Sequence, residues 1–87
     1  MNCVYILKSL KDNMQYIGST NNLRKRLLAH NEGQVTSTKN RRPFVLFGYQ
    51  ICDSIREAAQ LEKRYKSSHD TLERAIKSGR FRMVNGE

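Results

Sequence analysis

Five side chains stand out for the chemistry they could do rather than the surface they could bury. Tyr5 and Tyr16 lie eleven positions apart, Arg26 and His30 lie four apart, and Glu62 follows much later. A guanidinium is always charged and grips an anion in two places. An imidazole titrates near neutrality, so His30 can give or take a proton. A phenol, with a pKa near ~10, is a base at neutral pH only where a metal-bound water or a neighbouring cation lowers it. Glu62 falls on a helical stripe with Ile55, Ala58, Ala59 and Tyr65. A carboxylate in that company loses hydration and needs a cation, a proton or a metal. Each residue also has a plainer reading. The tyrosines could be amphipathic sheet residues, Arg26 a surface helix charge, and His30 a helix C-terminal cation favoured by the dipole. Glu62 could sit at the stripe's edge, paired with Lys66 one turn on or with Arg26 across an interface.

The elements that must position these groups are short. Residues 2–8 are apolar, β-branched and aromatic, as a buried strand should be. Lys11-Asp12-Asn13 is turn chemistry, so 14–18 returns antiparallel and a hairpin can set Tyr5 and Tyr16 on one face. Ser19-Thr20-Asn21 offers cap oxygens for a helix over 22–31, closed by Gly33, with Leu23, Leu27 and Leu28 buried. That helix places Arg26 and His30 on a shared face. Residues 32–43 lack apolar periodicity and interleave hydroxyls with cations, Thr36 to Pro43, which suits phosphate oxygens. Residues 44–51 alternate weakly and read as a third strand, with Pro43 at its entry. Ser54-Ile55-Arg56-Glu57 has the capping-box pattern and opens a helix reaching about Ser67. A last helix covers 70–78, with Leu72, Ala75 and Ile76 inward, capped by Asp70 or a nearby serine and ended by Gly79. The order β-β-α-β-α-α is most simply met by an α+β fold: a three-stranded, mainly antiparallel sheet flanked by three helices.

Val4-Tyr5-Ile6, Tyr16-Ile17-Gly18 and Arg26-Leu27-Leu28-Ala29-His30, followed by a helical Glu62, resemble the signature of the GIY-YIG nuclease superfamily. The likeness is to its small stand-alone members, which are similar to the N-terminal nuclease domain found in excinuclease. It runs from Met1 to about Lys66. The first motif reads Cys-Val-Tyr-Ile, without the glycine that names the family. The resemblance implies the same fold and a metal-dependent endonuclease that hydrolyses phosphodiester bonds in DNA, in repair or recombination. It implies Glu62 as ligand to one Mg²⁺ or Mn²⁺, Tyr5 as base, Tyr16 as a partner placing water or phosphate, and Arg26 as the grip on the scissile phosphate. His30 rivals Tyr5 as base, or else holds a tyrosine hydroxyl or a phosphate oxygen. The family often carries a late asparagine beside the metal. Asn85 falls in an expected tail, so the role is not carried to it, and Lys66 is the candidate phosphate contact in its place.

The 87 residues suit one domain, expected over 1–80 with a tail over 81–87. Cys3 and Cys52, far apart in sequence, read as reduced buried thiols of a cytoplasmic protein. No apolar run approaches the ~20 residues a membrane span needs. The net charge is +8 and uneven, with the first half of the chain the more basic. Such a balance points to a polyanion, with DNA favoured over membrane; the plainer account is charge kept for solubility. Arg24, Lys25, Lys39, Arg41 and Arg42, with Lys66, are the expected backbone contacts. So small a domain leaves few side chains to reach base edges, so selection among flap, junction, nick and plain duplex falls to shape or to a partner protein or second copy. A binding module with a weak or absent active site, acting with a partner, fits the charge equally. A third option is a component of a repair complex.

Overall fold

The computed structural model describes residues 1–84. Asn85 and the end of the expected tail lie outside the described residues. Two strands, β1 (Asn2–Ser9) and β2 (Gln15–Thr20), form the expected hairpin. Ser9 Oγ accepts from the amides of Lys11 and Asp12 and ties the turn, and Asn13 takes the left-handed conformation (φ 64°). Helix α1 (Leu23–Asn31) follows, then strand β3 (Phe44–Cys52), helices α2 (Ile55–Ser67) and α3 (His69–Lys77), and a short β4 (Arg82–Met83). All pairings are antiparallel, in the order β2-β1-β3-β4. The class is the expected α+β sheet with three helices; the fourth strand is an addition to it.

The sheet is covered on both faces. Tyr5, Leu7 and Phe44 pack with Leu23 and Leu27 of α1 on one side. Val4, Ile6 and Cys52 pack with Ala58, Tyr65, Leu72, Ala75 and Phe81 on the other. This division explains why β1 is apolar throughout instead of alternating. The weak alternation of β3 has a local cause: its pairing with β1 slips between Ile6 and Leu7, so that Gly48 and Leu46 are the successive partners. Phe47 is the extra residue of the bulge and packs with the α2–α3 side, while Leu46 packs with α1.

Several local expectations need correction. Asn22, not residues 19–21, caps α1, accepting from the Lys25 amide at 3.1 Å. Leu28 is 56% exposed, so α1 buries a narrower stripe than expected. On α2, Ile55 is exposed and Ala59 faces outward; Ala58, Leu61 and Tyr65 make the buried stripe, with Glu62 at its edge. A β-strand approaches a helix along a narrow line, so a wide apolar stripe read from sequence overstates what is covered. The segment from Phe81 is docked in its first part. Phe81 is 4% exposed against Tyr65, and Arg82–Met83 pair with Gly48 and Tyr49. The Ser54 cap forms as expected, with Glu57 Oε1 returning to the Asp53 amide.

Candidate active site

The hairpin register sets Tyr5 opposite Gly18 and Leu7 opposite Tyr16. Tyr5 and Tyr16 therefore share the α1 face as diagonal neighbours, with ring centroids 6.5 Å apart. Gly18 is required here by space. A Cβ at that position would lie 2.4 Å from the Tyr5 hydroxyl. The phenol of Tyr5 thus lies under the backbone of β2, the edge strand.

His30 comes to the same point from the end of α1. It is fully buried, boxed by the rings of Tyr5, Tyr16 and Phe44. Its Nε2 is 2.9 Å from the Tyr5 hydroxyl and its Nδ1 is 2.8 Å from Thr38 Oγ1. Burial holds the imidazole below its ordinary pKa, and the Arg26 guanidinium adds to the effect. The ring is therefore neutral at pH 7, not the helix C-terminal cation of the plainer reading. A neutral ring carries one N–H. Thr38 donates its own proton to Val35 O at 3.4 Å, so the assignment that satisfies every partner puts the ring proton on Nδ1. Nε2 then accepts from Tyr5. Thr38, expected among the phosphate-contacting hydroxyls, is instead buried beneath the site.

Burial pushes the Tyr5 phenol well above the usual tyrosine range. The Tyr16 phenol and the Glu62 carboxylate add to the rise, and Arg26 opposes it. These influences place Arg26 and Glu62 within electrostatic reach of Tyr5, with opposite effects on it. Arg26 is exposed and lines an opening of roughly 230 Å³ with Lys25, Thr20 and Asn22.

Glu62 reaches the site round the β2 edge. Its Oε1 accepts from Ser19 Oγ at 2.6 Å, and its Oε2 pairs with Lys66 Nζ at 2.7 Å. The same ammonium stands 5.4 Å from the Tyr16 ring centroid. Carboxylate and phenol thus flank one cation, although α2 packs on the sheet face opposite Tyr5. The Lys66 partner of the plainer reading is present. Ser19, expected only as a possible cap, instead points its side chain to the α2 face, as does Ile17, and only the register shows that.

Of the remaining basic candidates, Arg24, Lys25 and Lys39 are exposed, with no ion pair or side-chain hydrogen bond among the described residues. Arg41 pairs with Asp12 at 3.0 Å and stands over Phe44. Arg42 donates to Lys39 O at 2.7 Å and lies where a Cβ on Gly33 would be. Arg41 ties the 32–43 segment to the hairpin, and Arg42 closes that segment on itself.

The donor set allows a hard divalent cation only sparingly. Among the described residues no three His, Cys, Asp or Glu side chains cluster as ligands. Mg²⁺ keeps several waters and takes one or two carboxylates plus substrate phosphates. Glu62 with an incoming phosphate meets that need once Lys66 releases Oε2.

One α+β domain thus carries a tyrosine hairpin, an Arg/His helix and a glutamate brought in by a second helix. Residues 1–76 match the GIY-YIG catalytic domain, and the chain belongs to that family. A UPF0213 protein of Bacillus pumilus is 42% identical over 64 residues, 72% of this chain and 64% of its own. A UPF0213 protein of Clostridium perfringens is 46% identical over 63 residues, 71% of this chain and 67% of its own. The UvrABC system protein C of Mycoplasmopsis agalactiae is 41% identical over 63 residues, 69% of this chain but 11% of its own. The chain thus spans a little under two thirds of the Bacillus relative and a small fraction of the UvrABC protein. No solved structure matches the chain.

Proposed function

We propose that the domain is a divalent-metal-dependent endonuclease that hydrolyses phosphodiester bonds in DNA. The observation that supports this reading is the Tyr5–Tyr16–His30 cluster, with Arg26 and Glu62 close enough for their charges to act on Tyr5, in a chain of the GIY-YIG family. Cleavage needs a base for water, stabilisation of the phosphorane-like charge and help for the leaving oxygen.

Tyr5 stays protonated on its own, so it serves as base only by passing its proton on as it takes one. His30 Nε2 is placed to receive it. Water would give a proton to the Tyr5 oxygen while the phenolic proton moves to Nε2, and the Nδ1–H bond to Thr38 fixes the ring for that transfer. His30, being buried, acts through Tyr5. Arg26, exposed and fork-shaped, grips the scissile phosphate, and Tyr16 orients the phosphate or the water. Mg²⁺ or Mn²⁺ on Glu62 would supply Lewis-acid polarisation of the phosphate and leaving group. Arg24, Lys25 and Lys39 bind backbone phosphates, with Arg41 and Arg42 shaping the segment that carries Lys39. Lys66 moves from Glu62 to a phosphate oxygen when substrate arrives. A domain this small leaves few side chains to reach base edges, so shape or a partner protein selects the substrate.

The Lys66–Glu62 pair favours a second reading, a module that binds nucleic acid without cutting it. Plasmid nicking separates the two. Nicking in Mn²⁺ that EDTA abolishes is the expected result. A DNA gel shift with no nicking under any divalent metal overturns the nuclease reading in favour of the second.

A further inference from the structure

Away from the β2 edge, α2 and α3 border a cavity of roughly 380 Å³. Arg64, Arg74 and Arg80 line it, with Thr71 and Ser78 between them and no carboxylate. All three guanidiniums are exposed, and none makes an ion pair or hydrogen bond among the described residues. Arg80 is turned into this group by Gly79, which takes φ 82°, and by the bond from the Arg80 amide to Ala75 O at 3.0 Å. Arg64 and Arg80 both lie near enough for their charge to act on the Tyr65 phenol.

Helix dipoles account for only part of the cluster. Arg64 and Arg74 do stand in the last turns of α2 and α3, but so do Lys66 and Lys77, and a dipole draws no cations into one shared hollow. Arg80 lies beyond α3 altogether, and three like charges on one hollow repel unless an anion offsets them. Guanidiniums interleaved with hydroxyls are the donors that phosphate oxygens take.

We infer that this cavity is a second phosphate-backbone site, so that the domain holds two segments of one nucleic acid at once. Arg64 follows Glu62 by two residues and projects about 200° round α2 from it. A straight duplex lying against the β2 edge of a body 30 × 25 × 24 Å does not also bend round α2 to that other face, because DNA is stiff over ~150 base pairs. Two arms meeting at a branch can reach both faces. The substrate class is therefore branched or flapped DNA. That class rests on the nuclease reading; the second site itself does not.

The test measures binding in EDTA, where no cleavage is needed, by fluorescence anisotropy over a salt series. The probes are a four-way junction and a linear duplex of the same sequences. The protein carries Arg64→Gln, Arg74→Gln and Arg80→Gln together, with a second variant bearing lysine at all three. The glutamine variant should bind the junction at least about tenfold more weakly, with a salt slope shallower by about two to three, since each phosphate contact contributes about 0.9. Its duplex binding should stay within about twofold, and the lysine variant should keep most junction binding. Equal loss on both probes would reduce the arginines to general charge and overturn the proposal. No loss on either would leave the cavity to an acidic protein segment and overturn it too. Absence of cleavage in Mn²⁺ touches the nuclease reading alone.

Discussion

The Tyr5–His30–Thr38 chain is where single atoms decide what the site can do. In the proposed mechanism neither Tyr5 nor His30 suffices alone as base: burial makes one too weak an acid to lose its proton, and the other is sealed from solvent. Their bond makes one unit of the two and leaves a clear pH signature. The folded pKa of His30 lies below its ordinary value, so the unfolded chain takes up the proton first. This group's stabilisation is complete above about pH 6.5 and falls as pH drops through that value toward the folded pKa. Melting temperatures measured from about pH 7.5 to 5 should fall on the acid side, and His30→Gln should flatten that fall while lowering nicking at every pH. An unchanged acid limb would remove His30 as its source. At Arg26 the expectation is kinetic. Arg26→Ala should lower kcat by about a hundredfold with a far smaller loss of DNA affinity. Equal losses in both would make it a docking residue. That Arg26 and His30 lie near one another was legible in the sequence because helical spacing carries it, while the roles proposed for them came from the family resemblance. The proton's direction was not legible, because it depends on Thr38 folding back beneath the ring.

The hairpin is the element that makes the site, and its tightest constraint is the absence of a side chain. A Cβ on Gly18 would meet Tyr5 Oη at 2.4 Å and Cζ at 2.5 Å, while His30 holds that hydroxyl from the other side. Gly18→Ala should cost about 1–3 kcal/mol of stability by overpacking and up to about a hundredfold in rate by displacing Tyr5. Denaturant titration and nicking check both. Wild-type values in both would mean that the ring moves freely. The turn, the hairpin and the Ser54 cap could be read ahead of the structure because a few adjacent residues dictate each, whereas the α1 cap fell to Asn22 instead of its three predecessors. Leu28, Ile55 and Ala59 could not, since helix periodicity gives a direction but not the width of the partner surface. The bulge at Phe47 blurs the alternation of β3, and two residues become β4 only through pairing with Gly48 and Tyr49.

At the scale of the whole molecule, the sheet holds two packed sides and the β2 edge joins them. No helix among the described residues is long and apolar enough to cross a membrane. The first half carries most of the net charge, yet the three-arginine cavity belongs to the second half. Charge counted along the chain misses it, since three segments supply it. At that edge Glu62 comes from α2, on the side of the sheet away from Tyr5, and is held by Ser19 and Lys66. Glu62→Gln keeps an acceptor for Ser19 and removes the charge a metal needs. Measured by single-turnover nicking in Mn²⁺, with melting and EDTA binding alongside, the variant should keep wild-type stability and affinity and lose about a hundred- to a thousandfold in rate. Cutting at the wild-type rate by that folded variant would contradict the proposed hydrolytic centre at the β2 edge.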